Sequence, residues 1–294
     1  MVSEKTPFGK VGTYLLFAGP TTFAFFTVVI LPFLFGVYLT LTNWDGLSAT
    51  YLFVGLKNYR MVFEDKAFWT SFGLTLRYVA YTVVLTNVIA FTLAYLLTSG
   101  IRGQNFLRAG FFVPNLIGGI VLGLIWRFVF SNVLVYVGKR FGWELLLRSW
   151  LAHPDKAFWA LVIVSVWQSS GYMMVIYIAG LMGIPKDLVE AATIEGATGL
   201  QRLRYVILPL LTPFTTVCIF LSLQRGFIVY DLNKALTEGG PYKSTELVAM
   251  HVYEKAFLAQ QYEIGQSEAF FLFAMIVGVT LAQVYLGKRL EVEQ

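Results

Sequence analysis

Six stretches without one charged side chain constrain this chain more than any other feature. Residues 11–44, 78–101, 109–126, 157–185, 205–224 and 269–287 contain no Asp, Glu, Lys or Arg. A helix needs about 20 mostly apolar residues to cross the hydrocarbon core of a bilayer. The stretches therefore predict six membrane-spanning helices and an all-α fold. The weakest, 109–126, needs Arg108 or Arg127 near an interface to reach full length. Of the 294 residues, 57% are hydrophobic and 13% charged, about half the charged share of an ordinary soluble domain. No soluble domain, low-complexity tract or repeat of 20–50 residues interrupts the pattern.

The first run follows a short basic segment with Lys5 and Lys10. It is too long for a signal-peptide core, and no small-residue cleavage site follows, so a retained first helix is expected. Pro20 and Pro32 interrupt it, which lipid tolerates when neighbouring groups satisfy the freed carbonyls. This divides the chain into a first helix with its following loop (1–71), a five-helix core (72–287) and a tail (288–294). Six spans put both ends on one side. The segments on that side are short and basic, with Lys5, Lys10, Arg102, Lys186, Arg202, Arg204, Lys288 and Arg289, so both termini are expected to be cytoplasmic. The opposite loops, about 43–71, 131–156 and 231–267, are longer and carry turn chemistry, as in Asn43-Trp44-Asp45-Gly46. The net charge of +5, without a basic cluster, suits anionic lipid headgroups rather than nucleic acid. A single cysteine, Cys218, excludes an internal disulfide. His153 and His251 lie in different loops without metal-ligand spacing.

The chain carries no evident means of driving transport by itself. A carboxylate at membrane depth marks proton-coupled carriers and intramembrane enzymes, and the six runs contain none; Asp231 and Glu268 stand only at their edges. Arg77, Arg127 and Arg225 cannot relay protons because a guanidinium stays charged. No Gly-x-x-x-x-Gly-Lys-Ser/Thr phosphate loop is present. A self-sufficient carrier and a membrane-embedded enzyme are both disfavoured, and an energised transporter built on this chain needs a partner to drive it.

The stretch EAATIEGATGLQRLRYVILP (Glu190 to Pro209) is charged, rich in small residues and set between two apolar runs. Pro185 suits the first position of a helix, and Asp187 and Glu190 then complement its dipole. Ala191, Ile194 and Ala197 share a low-relief face. Gly196 can take φ > 0, and Thr198 with Gln201 has capping-box spacing for a second helix. The expected shape is helix, glycine turn, helix over 185–205. Spacing alone leaves an amphipathic loop resting on the membrane surface as the alternative.

Glu190-Ala191-Ala192, Gly196-Ala197 and Ile207-Leu208-Pro209 resemble the EAA signature of binding-protein-dependent ABC importer permeases. NWDG (43–46) with FVGLKNY (53–59), the stretches 111–130 and 160–185, and ALTEGGPYKSTELVAMHVYEKAF (235–257) are similar to the carbohydrate-uptake branch. They look like its first permease subunit, of the maltose, multiple-sugar and glycerol-phosphate kind. Leu203 stands where an aromatic is often seen, and the short 131–156 loop excludes the extra domain of some maltose-type subunits. The resemblance implies that Glu190, Ala191, Ala192, Gly196, Ala197 and Pro209 belong to a coupling loop seated in a cleft of an ATP-hydrolysing subunit. It further implies a second homologous permease chain, an ATPase dimer that binds the ATP and Mg, and an extracytoplasmic solute-binding protein, all at a prokaryotic cytoplasmic membrane. This chain then holds no cofactor and is a transporter subunit rather than an enzyme. The cargo is expected to be a di- or oligosaccharide or a polyol-phosphate. A permease for a peptide or another solute is the alternative, sharing the EAA loop but not the Gly-Gly-Pro segment.

Polar side chains recur at helical spacing on two spans: Ser165, Gln168, Ser169 and Tyr172, then Thr215, Cys218, Ser222 and Arg225, with Gln224 beside them. Such stripes should face protein or water, not lipid. They predict a substrate path with Gln168, Tyr172, Ser222, Gln224, Arg225 and Tyr230; Trp167 and Phe227 are further ring-stacking candidates. Helix–helix hydrogen bonding is the competing reading. Arg225 either lines the path with Ser222 and Gln168 or anchors at the interface near Tyr230 and Asp231. Gly239, Gly240 and Pro241 demand a defined turn, which by resemblance faces the solute-binding protein.

Overall fold

The computed structural model describes residues 13–290, and the basic segment with Lys5 and Lys10 lies outside the described residues. Among the described residues, five helices are long and apolar enough to cross a membrane, and a bent helix pair makes a sixth. We number the helices α1 (Gly19–Leu39), α2 (Lys57–Glu64), α3 (Lys66–Leu97), α4 (Gln104–Phe112), α5 (Gly119–Phe141), α6 (Pro154–Gly183), α7 (Lys186–Ile194), α8 (Gly199–Leu210), α9 (Thr212–Phe227), α10 (Asp231–Leu236), α11 (Val248–Tyr253) and α12 (Tyr262–Leu290). The spans are α1, α3, α5, α6, the pair α8–α9, and α12. Helix is the form dictated by lipid, because each backbone N–H and C=O must be satisfied within its own segment.

The chain divides into two compact units: residues up to Asp65 with Val252–Phe271, and Lys66–His251 with the remainder from Leu272. In the first, α1 leads into a loop held by Asn58, whose side-chain amide donates to the carbonyls of Thr40 (2.8 Å) and Thr42 (2.7 Å). The Asn43–Gly46 turn closes as expected: Asp45 accepts from Ser48 Oγ and from the N–H groups of Leu47 and Ser48. These bonds, the Ser48 hydroxyl foremost, lower its carboxyl to about 2. Lys255 pairs with Asp65 in the same unit.

The second unit is built around α6. Sixty-one per cent of its most apolar 18 residues are buried, which makes α6 the central span of this unit. Ala90 and Ala94 of α3, Met173, Met174 and Tyr177 of α6, and Cys218 of α9 pack into one core. Small residues set the approach distances. A Cβ on Gly171 would lie 1.9 Å from the Phe111 carbonyl oxygen, so α6 and α4 cross with backbones in contact. Arg77 does not meet lipid with its charge bare; its guanidinium lies 4.8 Å from the Phe158 ring centre, a cation–π contact.

Two spans depart from the charge-free runs. The run 109–126 is not one span. It breaks after Phe112 into a 3₁₀ turn, Val113–Leu116, followed by extended Ile117 and Gly118. The third span is α5, which continues past Arg127 to Phe141. The reason is Pro114, which has no N–H to continue the α4 ladder and opens the 3₁₀ turn, together with the consecutive glycines Gly118 and Gly119. Within the fifth run, α8 and α9 meet at 69° around Leu211; Pro209 and Pro213 flank that bend.

Candidate functional site

A cavity of about 450 Å³ opens inside the second unit. Tyr78, Thr82 and Thr86 of α3 face it at a strict four-residue spacing. Ser165, Gln168 and Ser169 of α6 face it from another side, and Ser222 and Arg225 of α9 from a third. Asn115, Gly119, Tyr230 and Asp231 complete the wall. Most hydroxyls there are already committed as donors. Tyr78 donates to Ser165 (2.6 Å), Ser165 to the Leu161 carbonyl, Thr82 to Tyr78 O and Ser222 to Cys218 O. Ser165 and Ser222 also accept, from the Tyr78 hydroxyl and from Asn87 Nδ2 (3.1 Å).

The two longest polar side chains reach the break before α5. Arg225 donates to Asn115 Oδ1 at 2.8 Å, and its guanidinium lies 4.8 Å from the Tyr172 ring centre. Gln168 Nε2 donates to the Ile117 carbonyl at 3.0 Å. Both expected positions for Arg225 therefore coincide, since Ser222, Gln168, Tyr230 and Asp231 share its cavity. Tyr172 acts beneath Arg225 without lining the cavity itself. Gln224 is a correction: one residue from Arg225, it points off the stripe, is exposed and takes no part in the wall. Cys218 belongs to the packed core. Phe227 is buried, and Trp167 packs edge-on against Trp126 at 5.4 Å, so neither offers a ring to the cavity. Tyr78, Thr82, Thr86 and Asn115 were missed. The four-residue spacing on α3 was a usable signal, whereas Asn115 sits in a non-helical break that no periodicity reveals.

Residues 185–210 fold as helix, turn, helix, with Pro185 just before the first helical residue, Lys186. Gly196 has φ +85°. The Ala197 N–H bonds Ala192 O (3.0 Å) and the Gly196 N–H bonds Thr193 O (3.1 Å). This is the paired 6→1 and 5→2 pattern of a Schellman ending, and it accounts for the motif's residue types. Glycine supplies the left-handed residue, and Ala192 and Ala197 are the pair such an ending brings together. Thr198 and Gln201 then form a complete capping box. Arg202 bonds the Thr193 hydroxyl, tying the second helix back to the first. Glu190 and Ala191 are exposed, and Ala192 is half-buried. Ile194 and Leu200 are 87% and 75% exposed, an apolar tip without cover among the described residues. Pro209 lies on the stem leading to the 69° bend.

The loop after α10 holds Gly239 (φ +76°) and a cis Gly240–Pro241 bond. Buried polar groups staple it. Asn233 donates to Thr245 O (2.9 Å), Thr245 Oγ1 to Gly240 O (2.8 Å), and the Val248 N–H to Thr75 Oγ1 on α3 (2.8 Å). Buried Glu246 accepts from His251 Nδ1 (2.9 Å) and Lys243 (2.8 Å). Burial pushes the Glu246 carboxyl up, but these two donors outweigh it and hold it below the usual value. Arg127 of α5 pairs with Glu238 and lowers its carboxyl too. Beneath this, α10 lies directly on α5: a Cβ on Gly119 would meet Asp231 Cβ at 2.9 Å, and one on Gly123 would meet Ala235 Cβ at 2.6 Å.

Comparison with known proteins gives the chain its relatives. The chain is 40% identical over 295 residues to the probable starch degradation products transport system permease protein AmyD of Thermoanaerobacterium thermosulfurigenes, covering 99% of this chain and 100% of that protein. It is 34% identical to the multiple sugar-binding transport system permease protein MsmF of Streptococcus mutans, over 89% and 90% of the two chains. A chain from a bacterial alginate ABC transporter, solved in complex with an alginate pentasaccharide-bound periplasmic protein, superposes with a TM-score of 0.80 at 18% identity, covering 94% of each chain. It shares the fold. Residues 86–292 match the model of the binding-protein-dependent transport system inner membrane component family. With that match, the multi-span helical fold and near full-length relatives, the chain belongs to the inner membrane components of binding-protein-dependent transport systems.

Proposed function

We propose that this chain is the permease subunit that carries a carbohydrate across a prokaryotic cytoplasmic membrane, with the α3–α5–α6–α9 cavity on its path. The observation that carries the reading is the cavity wall: amide, hydroxyl and guanidinium groups facing one another at membrane depth, a lining suited to a hydroxyl-rich cargo. The names of AmyD and MsmF support a sugar over a peptide. Residues 185–205 act as the coupling loop, presenting Ile194 and Leu200 beside Glu190 to an ATP-hydrolysing subunit that binds ATP and Mg. A second permease chain completes the channel. Both termini are cytoplasmic, and the Gly239–Pro241 turn meets the binding protein on the outer face. ATP hydrolysis belongs to the partner, since this chain has no phosphate loop.

The test is reconstitution of the full assembly in proteoliposomes. ATP-dependent uptake of a labelled neutral oligosaccharide, dependent on the binding protein, is expected. Uptake of peptides with none of the sugars overturns the reading.

A further inference from the structure

The break before α5 poses a problem that the cavity wall solves. Between α4 and α5, Ile117 and Gly118 are extended (ψ 126° and 145°); the Ile117 N–H bonds Pro114 O and Gly118 O accepts from the Leu122 N–H, which leaves the Ile117 carbonyl outside the helical ladder. Irregular backbone at membrane depth survives only where protein or a water-filled cavity satisfies it. Gln168 supplies a donor to Ile117 O, and Arg225 holds the side chain of Asn115 two residues earlier. Two donor groups of the candidate path are therefore engaged with the break.

We propose that the Arg225–Asn115 and Gln168–Ile117 bonds are a latch that holds the break against the cavity and that the cargo opens by exchange. The proposal rests on the reading of this cavity as the transport path. A sugar hydroxyl both donates and accepts. One set of hydroxyls accepts from Arg225 and Gln168 while the same or neighbouring hydroxyls donate to Asn115 Oδ1 and Ile117 O. Every group that loses a partner gains another. A ligand that only accepts, such as a carboxylate or a phosphate dianion, satisfies Arg225 but leaves the Ile117 carbonyl without a donor. The latch thus selects polyhydroxyl cargo by hydrogen-bond balance, not by charge, and Asn115 is a positioning residue for it.

The break also has somewhere to send its movement. Gly119, its next residue, lies against Asp231 and Leu232 of α10 with no room for a Cβ. The α10 helix continues into the stapled Gly-Gly-Pro loop, where the Arg127–Glu238 pair ties loop to α5 again. Release of the latch therefore shifts a body that includes the expected binding-protein contact.

Asn115 offers substitutions with opposite expected signs. Asn115→Ala removes the acceptor. Asn115→Asp keeps the shape and replaces a neutral acceptor by a charged one. In the complete transporter embedded in nanodiscs, ATPase activity without sugar or binding protein is measured for both. A single cysteine at Ser169→Cys, in a Cys218→Ser background, reports aqueous access to the cavity with and without sugar. Asn115→Ala is expected to raise basal ATPase and labelling about tenfold, the scale of one charge-assisted hydrogen bond. Asn115→Asp is expected to lower both below wild type and to raise the sugar concentration for half-maximal stimulation. Both variants shifting in the same direction, as a purely structural role requires, overturns the latch, and so does wild-type behaviour in both. If sugar protects the cysteine in wild type while the Asn115 variants are unchanged, the latch alone fails. If sugar protects it in no background although uptake persists, the path reading fails and takes the latch with it.

Discussion

Replacing Gly196 isolates the conformational cost of the coupling turn from its packing. Nothing lies within 4 Å of a Cβ built on Gly196, yet its φ is +85°. Gly196→Ala therefore adds no clash and keeps the N–H bond to Thr193 O. What remains is the left-handed penalty for a residue with a Cβ, about 1–2 kcal/mol. That lowers the equilibrium favouring the docking-ready turn by about 5- to 30-fold, and apparent affinity for the ATP-hydrolysing subunit falls by at most the same factor. Gly196→Asn costs less, because asparagine tolerates this region. Gly196→Pro costs more, since proline fixes φ near −65° and removes the donor to Thr193 O. The assay is titration of the purified ATPase subunit onto nanodisc-embedded permease, with thermal unfolding of the spans as the control. The expected affinity order is Gly, Asn, Ala, Pro, with the thermal transition unchanged because Gly196 is exposed. Wild-type affinity in both the Ala and Pro variants, or Asn weaker than Ala, refutes the reasoning.

Gly123→Val should drive α10 off α5, since even a Cβ there falls 2.6 Å from Ala235. A loss of about 1–3 kcal/mol by overpacking is expected as a lower melting temperature, while Gly110→Ala, with open space around it, stays near wild type. Glu246 is held below its ordinary carboxylate value, so its contribution to stability is complete above the unfolded value near 4.5 and is lost as pH falls through the lower folded one. Melting temperature should accordingly drop more steeply from pH 5 to pH 3 in wild type than in Glu246→Gln; parallel curves would contradict this. Purified alone, the chain should release no phosphate from ATP, a prediction that a phosphate-release assay on the single subunit checks directly.

The fold class and the helix–turn–helix shape of residues 185–210 were legible in the residue order because both rest on local physics. A charge-free run of membrane length has no alternative to a helix, and Gly196, Thr198 and Gln201 specify their turn and cap within five or six residues. Polar spacing on α6 and α9 likewise located five of the sixteen residues that line the cavity, because helical periodicity carries that information along one segment. The rest depended on which segments meet. The run 109–126 read as one span, whereas the break within it is engaged by Gln168 and Arg225, more than fifty residues away. Among the described residues Gln168 donates to the Ile117 carbonyl and Arg225 to the Asn115 side chain, and without Gln168 that carbonyl loses its side-chain donor. The exclusion of Gln224, the engagement of Arg225 with a neighbour and the stapling of the Gly-Gly-Pro loop to Thr75 have the same origin. A hydrogen bond across the bundle depends on the register of two helices against each other, which close glycine contacts such as Gly171 on Phe111 and Gly123 on Ala235 set in three dimensions.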